Sequence, residues 1–584
     1  MRGTRHPIAD SSYDRGGVDP SLKIDRLTLV LKPSDAQTAE LDRLLTDLHN
    51  PRSANYHKWL TPESYADRFG LSHSDIDKLV AWLKAQQLTV TSVARARNAI
   101  TVSGTVDLME KAFQSEIRSY VTGGEKHYAS VTEPSLPEAF EGIVLAIHGL
   151  HDFRLQPRSR MLQAPVALRG QADPNYTSPK DSSAHYLAPD DFATIFNIKP
   201  IYSQGIDGSN QSIVIVGQSR IDPSHLSMFR TSFGLGDVSL TRTLVPDSKD
   251  PGTRQADEQE SDLDLEWASA VAREANLSFV YADDVFDAVQ YAIDQNLAPV
   301  LSMSYGECET SSTKSDALTL QSWAKQANAQ GITWVAASGD SGAASCYQNR
   351  FGPLNATTDL KAAVDVPADI PEITGIGGTR FNEAGGAYWS ATDDPTTNAS
   401  AQAYIPETSW NDSTTNSPAS SGGGVSQFFS KPSWQTGLGV PSDAARDVPD
   451  LAFPASAEHD GYIVYTTSGG DTGWYLFGGT SAGAPAFSGI LALLNQYQLA
   501  NGYQASPGFG NINGRLYEMA SSSSWVFHDI SSGDNTVTAV VCSGFLCSSP
   551  SKKSVGYSAG TGYDLVTGLG SLDVSTFFAA WNNF

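Results

Sequence analysis

Glu260 and Asp264 are two acidic residues one helical turn apart in the stretch EQESDLDLEWASAVA. On a helix they would share a face with the apolar residues Trp267 and Val271, so the spacing predicts carboxylates on a core-facing stripe. Buried carboxylates are costly unless they are paired or take part in a reaction. Side by side they would share a proton, and such a pair can act as a general base in acid. An acidic helix start exposed to solvent is the alternative that this spacing leaves open.

The same stretch offers a second set of carboxylates at helical spacing. Glu258, Asp262 and Glu266 would share a face with Ser269 and Arg273. Because this whole face is polar, we expect it to be solvated. Of the two sets, the pair on the apolar stripe is therefore the one assigned to chemistry.

Ser481, in FGGTSAGAPAF, is the candidate nucleophile. The small residues around it would let a substrate backbone approach, and the apolar helix that follows would place its N-terminus beside a developing oxyanion. An ordinary helix N-cap after a glycine turn is the alternative. A serine nucleophile needs a base, usually histidine. A carboxylate base is indicated here, because the histidines after the predicted linker lie outside all of these motifs: His185, His225, His459 and His528.

Asp340, in AASGDSG, directly follows the apolar strand pattern GITWVA. An acid at the carboxyl end of a strand could simply cap the next turn. It could instead point into a site, where burial would raise its pKa and let it donate a hydrogen bond to an oxyanion.

A set of oxygen ligands is predicted near the end of the chain. HDI contains Asp529 and Ile530, and SAGTGYD contains Gly560, Gly562 and Asp564. Two carboxylates together with backbone carbonyl groups suit Ca²⁺ rather than zinc. Two local turns capped by aspartate are the alternative.

The first part of the chain predicts a small α+β domain over 24–155, preceded by an extension over 1–23. IDRLTLVL has the pattern of a strand, and DAQTAELDRLLTDLHN that of an amphipathic helix with Asp35 as its N-cap. Residues 156–184 have no periodicity and are rich in Arg, Pro, Ser and Gln. We expect them to form an exposed linker open to proteolysis.

Apolar strands alternate with helical stretches over 185–584, for example in QSIVIVGQS, NLSFVYA, APVLSMSYG and GITWVAASGD. This alternation predicts an α/β fold in which helices cover both faces of a parallel sheet. Active sites lie at the carboxyl ends of such strands, where SMSYG and Asp340 would be found. The Gly-, Ser- and Trp-rich region 376–476 is expected to form long surface loops with short strands.

The composition limits the partners. The 584 residues carry a formal net charge of −25, all of it after residue 165, because acidic and basic residues balance before that point. So acidic a chain argues against nucleic acid or an anionic membrane as a partner. No apolar run of about 18 residues is present, and residues 1–20 have no apolar signal segment. Four cysteines are compatible with two disulfides but allow three pairings: Cys308, Cys346, Cys542 and Cys547.

Taken in order, these motifs resemble those of the sedolisin family of serine-carboxyl peptidases, especially its kumamolisin-like members. The Glu-x-x-x-Asp pair, SMSYG, ASGDSG, SGGGVSQFF, RDVPDLA and GGTSAGAP follow one another along the chain, and the calcium motif comes last. Residues 24–155 resemble the family's activation propeptide, most clearly in HKWLTPESYADRFG. Each motif alone is weak evidence, whereas the full series in order is strong.

The resemblance implies a subtilisin-like catalytic domain and a role for each site residue. Ser481 would be the nucleophile, Glu260 its general base, and Asp264 the residue that orients this base. Asp340 would stabilise the oxyanion. One structural Ca²⁺ would be held by carboxylate and carbonyl oxygens of Asp529, Ile530, Gly560, Gly562 and Asp564.

The resemblance further implies an acid-acting endopeptidase that is secreted as a self-processing zymogen and acts on proteins or peptides as a monomer. Its own propeptide would be an intramolecular inhibitor, with cleavage in the linker. A tripeptidyl-peptidase of the same family is the alternative activity. The competing classes are a catalytically inactive relative and an acid glycosidase with paired carboxylates, which would not need Ser481.

Two local features depart from the family pattern. Cys308 and Cys346 follow strand ends that the implied fold places side by side at the rim of the site, so we predict a disulfide between them. Cys542 and Cys547 are predicted to form the second pair. Export depends on the resemblance alone, since no signal segment is visible.

Overall fold

A computed structural model describes residues 1, 3–162, 185–347, 360–415, 417–543 and 549–584, with the backbone alone at 542–543 and 549–550. A small N-terminal unit packs against one face of a larger C-terminal unit. A short stretch of chain, residues 156–162, leaves the small unit and enters the larger one.

The N-terminal unit is an α+β domain, as the sequence predicts. Its strands are β1 (Asp14–Gly17), β2 (Lys23–Leu31), β3 (Thr89–Val93), β4 (Ala99–Thr105), β5 (Ile117–Thr122), β6 (Glu125–Ser130) and β7 (Val144–His148), and its helices are α1 (Asp35–His49), α2 (Pro62–Phe69), α3 (His73–Ala85) and α4 (Val106–Phe113). Strands β3-β4-β2-β7 form an antiparallel sheet, and β1-β5-β6 form a smaller one.

Helix α1 begins one residue earlier than the sequence predicts. The Ser34 hydroxyl accepts a hydrogen bond from the Gln37 N–H at 3.3 Å, and the Gln37 side chain accepts one from the Ser34 N–H at 3.0 Å. This capping box makes Ser34 the N-cap and Asp35 the first helical residue, so the prediction of Asp35 as N-cap is wrong.

The C-terminal unit has more and shorter strands. The two strands that lead into it are β8 (Gln156–Pro157) and β9 (Arg160–Leu162). Its own strands are β10 (Tyr186–Leu187), β11 (Ser212–Gly217), β12 (Leu240–Leu244), β13 (Asn276–Tyr281), β14 (Val300–Met303), β15 (Tyr305–Cys308), β16 (Thr333–Ala337), β17 (Asp365–Val366), β18 (Thr374–Phe381), β19 (Glu407–Ser409), β20 (Gly424–Ser430), β21 (Ala445–Val448), β22 (Leu451–Pro454), β23 (Gly461–Ser468), β24 (Asp471–Gly478), β25 (Phe527–His528), β26 (Val537–Ser543), β27 (Ser549–Val555) and β28 (Ser571–Leu572). Its helices are α5 (Pro189–Ile195), α6 (Lys199–Tyr202), α7 (Pro223–Ser232), α8 (Gln255–Val271), α9 (Val285–Asp294), α10 (Lys314–Ala329), α11 (Thr480–Ala500), α12 (Asn513–Ser522) and α13 (Val574–Ala580).

The central sheet has the order β12-β13-β11-β14-β16-β18-β19, with β22 also paired to β18. All pairs are parallel except β18 with β19. Ile213 and Ile215 of β11 pack in one apolar cluster with Trp267 of α8. Val214 and Val216 pack in another, on the side of α9 and α10. Helices therefore cover both faces, which confirms the predicted α/β fold.

The small unit packs on the α9 and α10 face. Val30 of β2 and Ala146 of β7 belong to the same buried cluster as Val289 of α9 and Ala324 of α10. None of the helices in the described part of the chain is both long and apolar enough to span a membrane.

The region 376–476 differs from the prediction of surface loops, because β18 and β22 are buried strands of the central sheet. Because β18 (TGIGGTRF) is rich in glycine, its sequence does not show the apolar pattern that is typical of a buried strand. A Cβ on Gly378 would lie 2.7 Å from the Ala455 Cβ and 2.8 Å from the Trp410 ring, so glycine is required where these side chains pack on the strand.

Helix α8 is buried on all sides, so the prediction of a solvated stripe is wrong. The Asp262 carboxylate lies 2.8 Å from Nδ1 of His225, and Glu266 accepts a hydrogen bond from the Tyr465 N–H at 3.0 Å. Strand β23 and helix α7 cover this face. Asp262 and one oxygen of Glu266 are bound by partners from other parts of the chain, which helical spacing alone does not reveal.

Cys308 and Cys346 form a disulfide, as predicted, with their Cα atoms 5.0 Å apart. Cys308 ends β15, and Cys346 follows the turn after β16, so the bond joins two strand ends beside the candidate site. The predicted pair of Cys542 and Cys547 lies outside the described residues.

Candidate active site

The four predicted catalytic residues come from three elements that meet at the carboxyl ends of the central strands. Glu260 and Asp264 lie on α8, Asp340 follows β16, and Ser481 is the second residue of α11. All four side chains are buried. Helix α8 packs directly on α11, which brings the acid pair next to the serine.

Ser304, between β14 and β15, connects the acid pair to the serine. Its hydroxyl donates a hydrogen bond to Asp264 Oδ1 at 2.7 Å, and its carbonyl oxygen accepts one from the Ser481 hydroxyl at 3.3 Å. Sequence reasoning placed Ser304 at a strand end without assigning it a role. Only the convergence of α8, α11 and β14 shows that it holds two site residues at once.

Glu260 and Asp264 form a buried acid pair. Burial, and then the negative charge of Asp264, raise the pKa of Glu260 well above its usual range. Burial likewise raises the pKa of Asp264, against the opposing hydrogen bond from Ser304. Neither oxygen of Glu260 makes a well-formed hydrogen bond to a described residue, although the side chains of Ser159 and Ser481 lie close enough to lower its pKa. When ionised, a carboxyl group with a raised pKa is a stronger base than usual and can accept a proton from a neighbouring hydroxyl.

Asp340 points toward the N-terminus of α11. Its Oδ1 accepts hydrogen bonds from the Thr480 N–H at 2.8 Å and the Thr480 hydroxyl at 3.0 Å. Its Oδ2 has no hydrogen-bond partner in the described part of the chain. Burial raises the pKa of Asp340 to about 6, and the nearby charges of Arg160 and Arg158 oppose this rise. Below that pH the carboxyl carries a proton that it can donate.

Gly479, the residue before α11, leaves the space that this arrangement needs. Its φ is +88°, and a Cβ there would collide with Asp340 Oδ2 and with the Arg158 carbonyl oxygen, 2.6 Å away. Glycine therefore lets Asp340, the start of α11 and a bound chain approach one another closely.

Residues 156–162 cross the site as an extended strand in two parts. β8 pairs antiparallel with β15, and β9 pairs antiparallel with β24. The Arg158 N–H donates to the Ser304 carbonyl at 3.0 Å, and the Arg158 carbonyl accepts from the Ser481 N–H at 3.0 Å. This part of the predicted linker is thus paired and half-buried rather than exposed. The remainder, 163–184, lies outside the described residues.

Two arginines of this strand bind acids of the cleft. Arg158 Nε lies 2.7 Å from Oδ2 of the fully buried Asp365, and Arg160 Nε lies 3.9 Å from Asp340 Oδ2. The arginine content of the linker was visible in the sequence. Its acidic partner Asp365 was missed, because it lies on the two-residue strand β17, which has no periodic signal.

The predicted calcium residues lie together. Gly562 N–H contacts the Asp529 carboxylate at 3.1 Å, and Gly560 N–H donates to Asp564 Oδ2 at 3.0 Å. Asp564 is buried, and burial raises its pKa to about 6. It has no ion-pair partner among the described residues. A buried carboxylate without an ion-pair partner in the described part of the chain, next to an exposed one, fits a Ca²⁺ site.

The arrangement can therefore support acyl transfer. A hydroxyl lies beside a carboxyl pair able to take its proton, and a carbonyl group is held at a helix N-terminus beside a protonatable aspartate. No histidine in the described ranges hydrogen-bonds to Ser481 or to the acid pair.

Sequence comparison with known families agrees with this division of the chain. Residues 10–153 match the pro-kumamolisin activation domain, and residues 266–507 match the subtilase family. The two matches correspond to the small unit and to much of the large unit described above.

Individual relatives are similar over nearly the whole chain. Kumamolisin of Bacillus sp. (strain MN-32) is 28% identical over 98% of this chain and 94% of its own length. Xanthomonalisin of Xanthomonas sp. (strain T-22) is 27% identical over 94% of this chain, which spans only 64% of that relative. Tripeptidyl-peptidase 1 of Homo sapiens is 25% identical over 95% of this chain and 91% of its own.

A solved structure is also similar. Pseudomonas sedolisin, a serine-carboxyl proteinase, has 28% sequence identity and a TM-score of 0.54 over 68% of this chain and 99% of its own. Together with the activation domain, the subtilase domain and the named relatives, this similarity shows that the chain belongs to the sedolisin family of serine peptidases.

Proposed function

We propose that this chain is a serine-carboxyl endopeptidase that acts in acid and is made as a self-processing zymogen. One observation carries the proposal: the Arg158 carbonyl is held by the Ser481 N–H beside a buried pair of carboxyl groups. A peptide carbonyl in that position is placed for attack by the Ser481 hydroxyl.

In the proposed reaction, Ser481 Oγ bonds to the carbonyl carbon while its proton passes to Glu260. The carbon–nitrogen bond then breaks, and Glu260 returns the proton to the leaving nitrogen. Water then gives a proton to Glu260 while its oxygen bonds to the acyl carbon. The bond from that carbon to Ser481 Oγ breaks, and Glu260 returns the proton to Oγ. Asp264, fixed by Ser304, orients Glu260 and holds the shared proton when Glu260 is ionised.

Asp340 would stabilise the negative oxygen that develops during attack. The Ser481 N–H is one donor, and protonated Asp340 would be the second. Because the pKa of Asp340 is raised to about 6, the donor form dominates in acid and is lost above that pH. Acid action follows from this requirement together with the carboxylate base.

The bond between Arg158 and Ser159 is the proposed first site of self-processing. Arg158 supplies the carbonyl that Ser481 binds, and the Ser159 side chain lies close to Glu260. The N-terminal unit would then be the inhibitor, since its chain fills the cleft in the uncut molecule.

The test is to incubate purified chain at acid pH and measure intact masses. Wild type should yield a fragment that ends at Arg158, and Ser481→Ala should stay whole with an unchanged fold. Ser488→Ala is the matched control, because Ser488 is a buried serine of the same helix that donates only to the Ala484 carbonyl. Processing of Ser481→Ala at the wild-type rate would overturn the proposal.

An endopeptidase is favoured over a tripeptidyl-peptidase by the path of the bound strand. A tripeptidyl-peptidase needs a free amino group three residues before the cut, at the position of Gln156. Here the chain continues to Leu155, whose carbonyl accepts from the Gln218 side chain at 2.9 Å. Peptides with an acetylated amino end should therefore be cut as readily as free ones, and a strict need for a free end would favour the exopeptidase.

Calcium binding and export complete the proposal. Asp529 and Asp564, with the carbonyl groups of Ile530, Gly560 and Gly562, would hold one Ca²⁺ that stabilises the end of the domain. An extracellular location is supported by the Cys308–Cys346 disulfide, since such bonds persist mainly in oxidising compartments.

A further inference from the structure

A second cluster of ligand-type side chains lies outside the proposed active site and outside the calcium residues. Glu383 follows the end of β18, and His459 and Asp460 directly precede β23. Their ligand atoms all lie within 4.8 Å of one another. His459 Nε2 is 3.0 Å from Glu383 Oε2 and 3.1 Å from Asp460 Oδ2.

These separations resemble the spacing of ligands around a small tetrahedral ion. Zinc bonds of about 2.0–2.1 Å to nitrogen and oxygen place neighbouring ligand atoms roughly 3.3 Å apart. Two of the three separations are already near that value and the third is within 4.8 Å, so the ligand atoms would need little movement to accept an ion between them.

The charge of the cluster is also that of a cation site. Two carboxylates face the His459 imidazole, and the His185 ring lies 3.8 Å from Asp460 Oδ1, so the cluster carries two negative charges when both imidazoles are neutral. His459 and Asp460 are 6% and 2% exposed, so water does little to offset this charge. Arg380, the nearby cation, is 3.7 Å from Asp412 and so serves another carboxylate.

The surroundings hold the cluster in position. Asp460 has a φ of +59°, a left-handed conformation that sets its carboxylate beside the His459 ring. Asp460 Oδ1 accepts a hydrogen bond from the His185 N–H at 2.6 Å, and the His185 ring stacks on Trp389. At metal sites, a ligating carboxylate usually accepts a hydrogen bond from a residue that does not itself touch the ion. An open pocket of about 580 Å³, lined by Glu383 and His459, gives an ion access.

We propose that Glu383, His459 and Asp460 bind one divalent transition-metal ion, for which zinc is the best match. One imidazole and two carboxylates suit zinc better than calcium, which prefers an all-oxygen set. The ion would join the end of β18 to the start of β23 and, through Asp460, to His185 beside β10. Its role would be to fasten the first strand of the large unit, since β10 pairs with β23.

The experiment uses the full chain carrying Ser481→Ala, freed of metal with a chelator and titrated with Zn²⁺ by calorimetry near neutral pH. One high-affinity zinc per chain is expected, and Co²⁺ in its place should show the visible absorption of a tetrahedral site. Glu383→Gln and His459→Asn should each weaken zinc binding by at least about 100-fold, since even changes to residues that only hydrogen-bond to a ligand lower metal affinity about 10–100-fold.

The matched control is His225→Asn, which removes a buried histidine paired with the single carboxylate of Asp262. It should keep full zinc affinity. Circular dichroism of each variant checks the fold, and Glu383→Gln is isosteric with the parent residue. No zinc binding by the parent chain, or parent affinity in both cluster variants, would show that the cluster is only a set of ion pairs.

Discussion

The carbonyl oxygen of Arg158 accepts a hydrogen bond from the backbone N–H of Ser481 at 3.0 Å. The chain's own peptide group therefore lies where a substrate would lie. We expect three results from the residues around this contact, one from the interface with the N-terminal unit and one from the calcium residues.

Glu260→Gln should lower kcat/KM on a peptide substrate by about 10²–10⁴-fold, since an amide cannot accept the Ser481 proton. Glu266→Gln is the control, because Glu266 is an equally buried glutamate of α8 that bonds to the Tyr465 N–H instead. Glu266→Gln should lower the stability of the fold and leave kcat/KM near the wild-type value. Equal rates for the two variants would contradict the role given to Glu260.

Asp340→Ala should lower kcat by about 10²–10³-fold, the usual loss for one oxyanion donor. The decrease in kcat should be smaller for Asp340→Asn, because the amide can donate a hydrogen bond at any pH. Since the pKa of Asp340 is raised to about 6, wild-type activity should decline above that pH, and Asp340→Asn should lack this decline. A pH–rate profile that is the same in Asp340→Asn and wild type would exclude Asp340 as the acidic donor.

Arg158→Glu should slow self-processing at least tenfold, about the effect of 1.4 kcal/mol, because it faces the buried Asp365 with a like charge. Gln156→Glu introduces the same charge at an exposed position two residues earlier and should process normally. Time courses of intact mass compare the two variants. Normal processing of Arg158→Glu would mean that its side chain is not held at Asp365 during the cut.

Asp316→Asn should release the N-terminal unit at higher pH than wild type. Asp316 contacts His148 at 2.8 Å and His151 at 3.0 Å. Burial alone would raise the pKa of Asp316, but the two histidines hold it well below its usual range. Burial would lower the pKa of His148, but Asp284 and Asp316 hold it well above its usual range.

The signs of these shifts define a pH window for docking. The lowered pKa of Asp316 gives stability above about pH 4 that is lost as pH falls toward the folded value. The raised pKa of His148 gives stability below about pH 6.5 that is lost as pH rises through the folded value. Removing one partner of a buried pair costs about 3–5 kcal/mol. Size-exclusion chromatography of cut protein should show release at a higher pH in Asp316→Asn, and little change in Asp42→Asn, whose side chain is 54% exposed.

Ca²⁺ should raise the melting temperature of wild type. At a Ca²⁺ concentration 100 times the Kd, the free energy of unfolding should rise by about 2.7 kcal/mol. Asp564→Asn should abolish this gain, while Asp471→Asn, a change at an exposed aspartate of β24, should keep it. Scanning calorimetry with calcium or a chelator measures both. A wild-type melting temperature unaffected by chelation would refute the calcium site.

Local patterns of sequence were enough to predict much of the candidate site. Glu260 and Asp264 share a face because both belong to one helix, and Ser481 is the second residue of the apolar helix α11, which follows two glycines. Such relations depend on a few adjacent residues. The alternation of apolar strands and helices likewise predicted the covered sheet, since it reflects burial of every strand on both faces.

Other relations arise only when distant segments meet. Strands β8 and β9 have two and three residues, and pairing with β15 and β24 is what makes them strands. The acids Asp262 and Glu266 look solvated on a helical projection, and their burial depends on His225 and Tyr465. Strand β18 is rich in glycine because of the side chains that pack on it, which no pattern of its own residues displays.

The strand across the cleft is anchored on both sides of Arg158, to β15 before it and to β24 after it. After cleavage between those two strands, each new chain end stays hydrogen-bonded to its own partner strand. Scission and the onset of turnover are thus separate events, and a lag should divide them. The length of this lag would be set by the rate at which the cleaved ends dissociate from β15 and β24, not by the rate of peptide-bond cleavage.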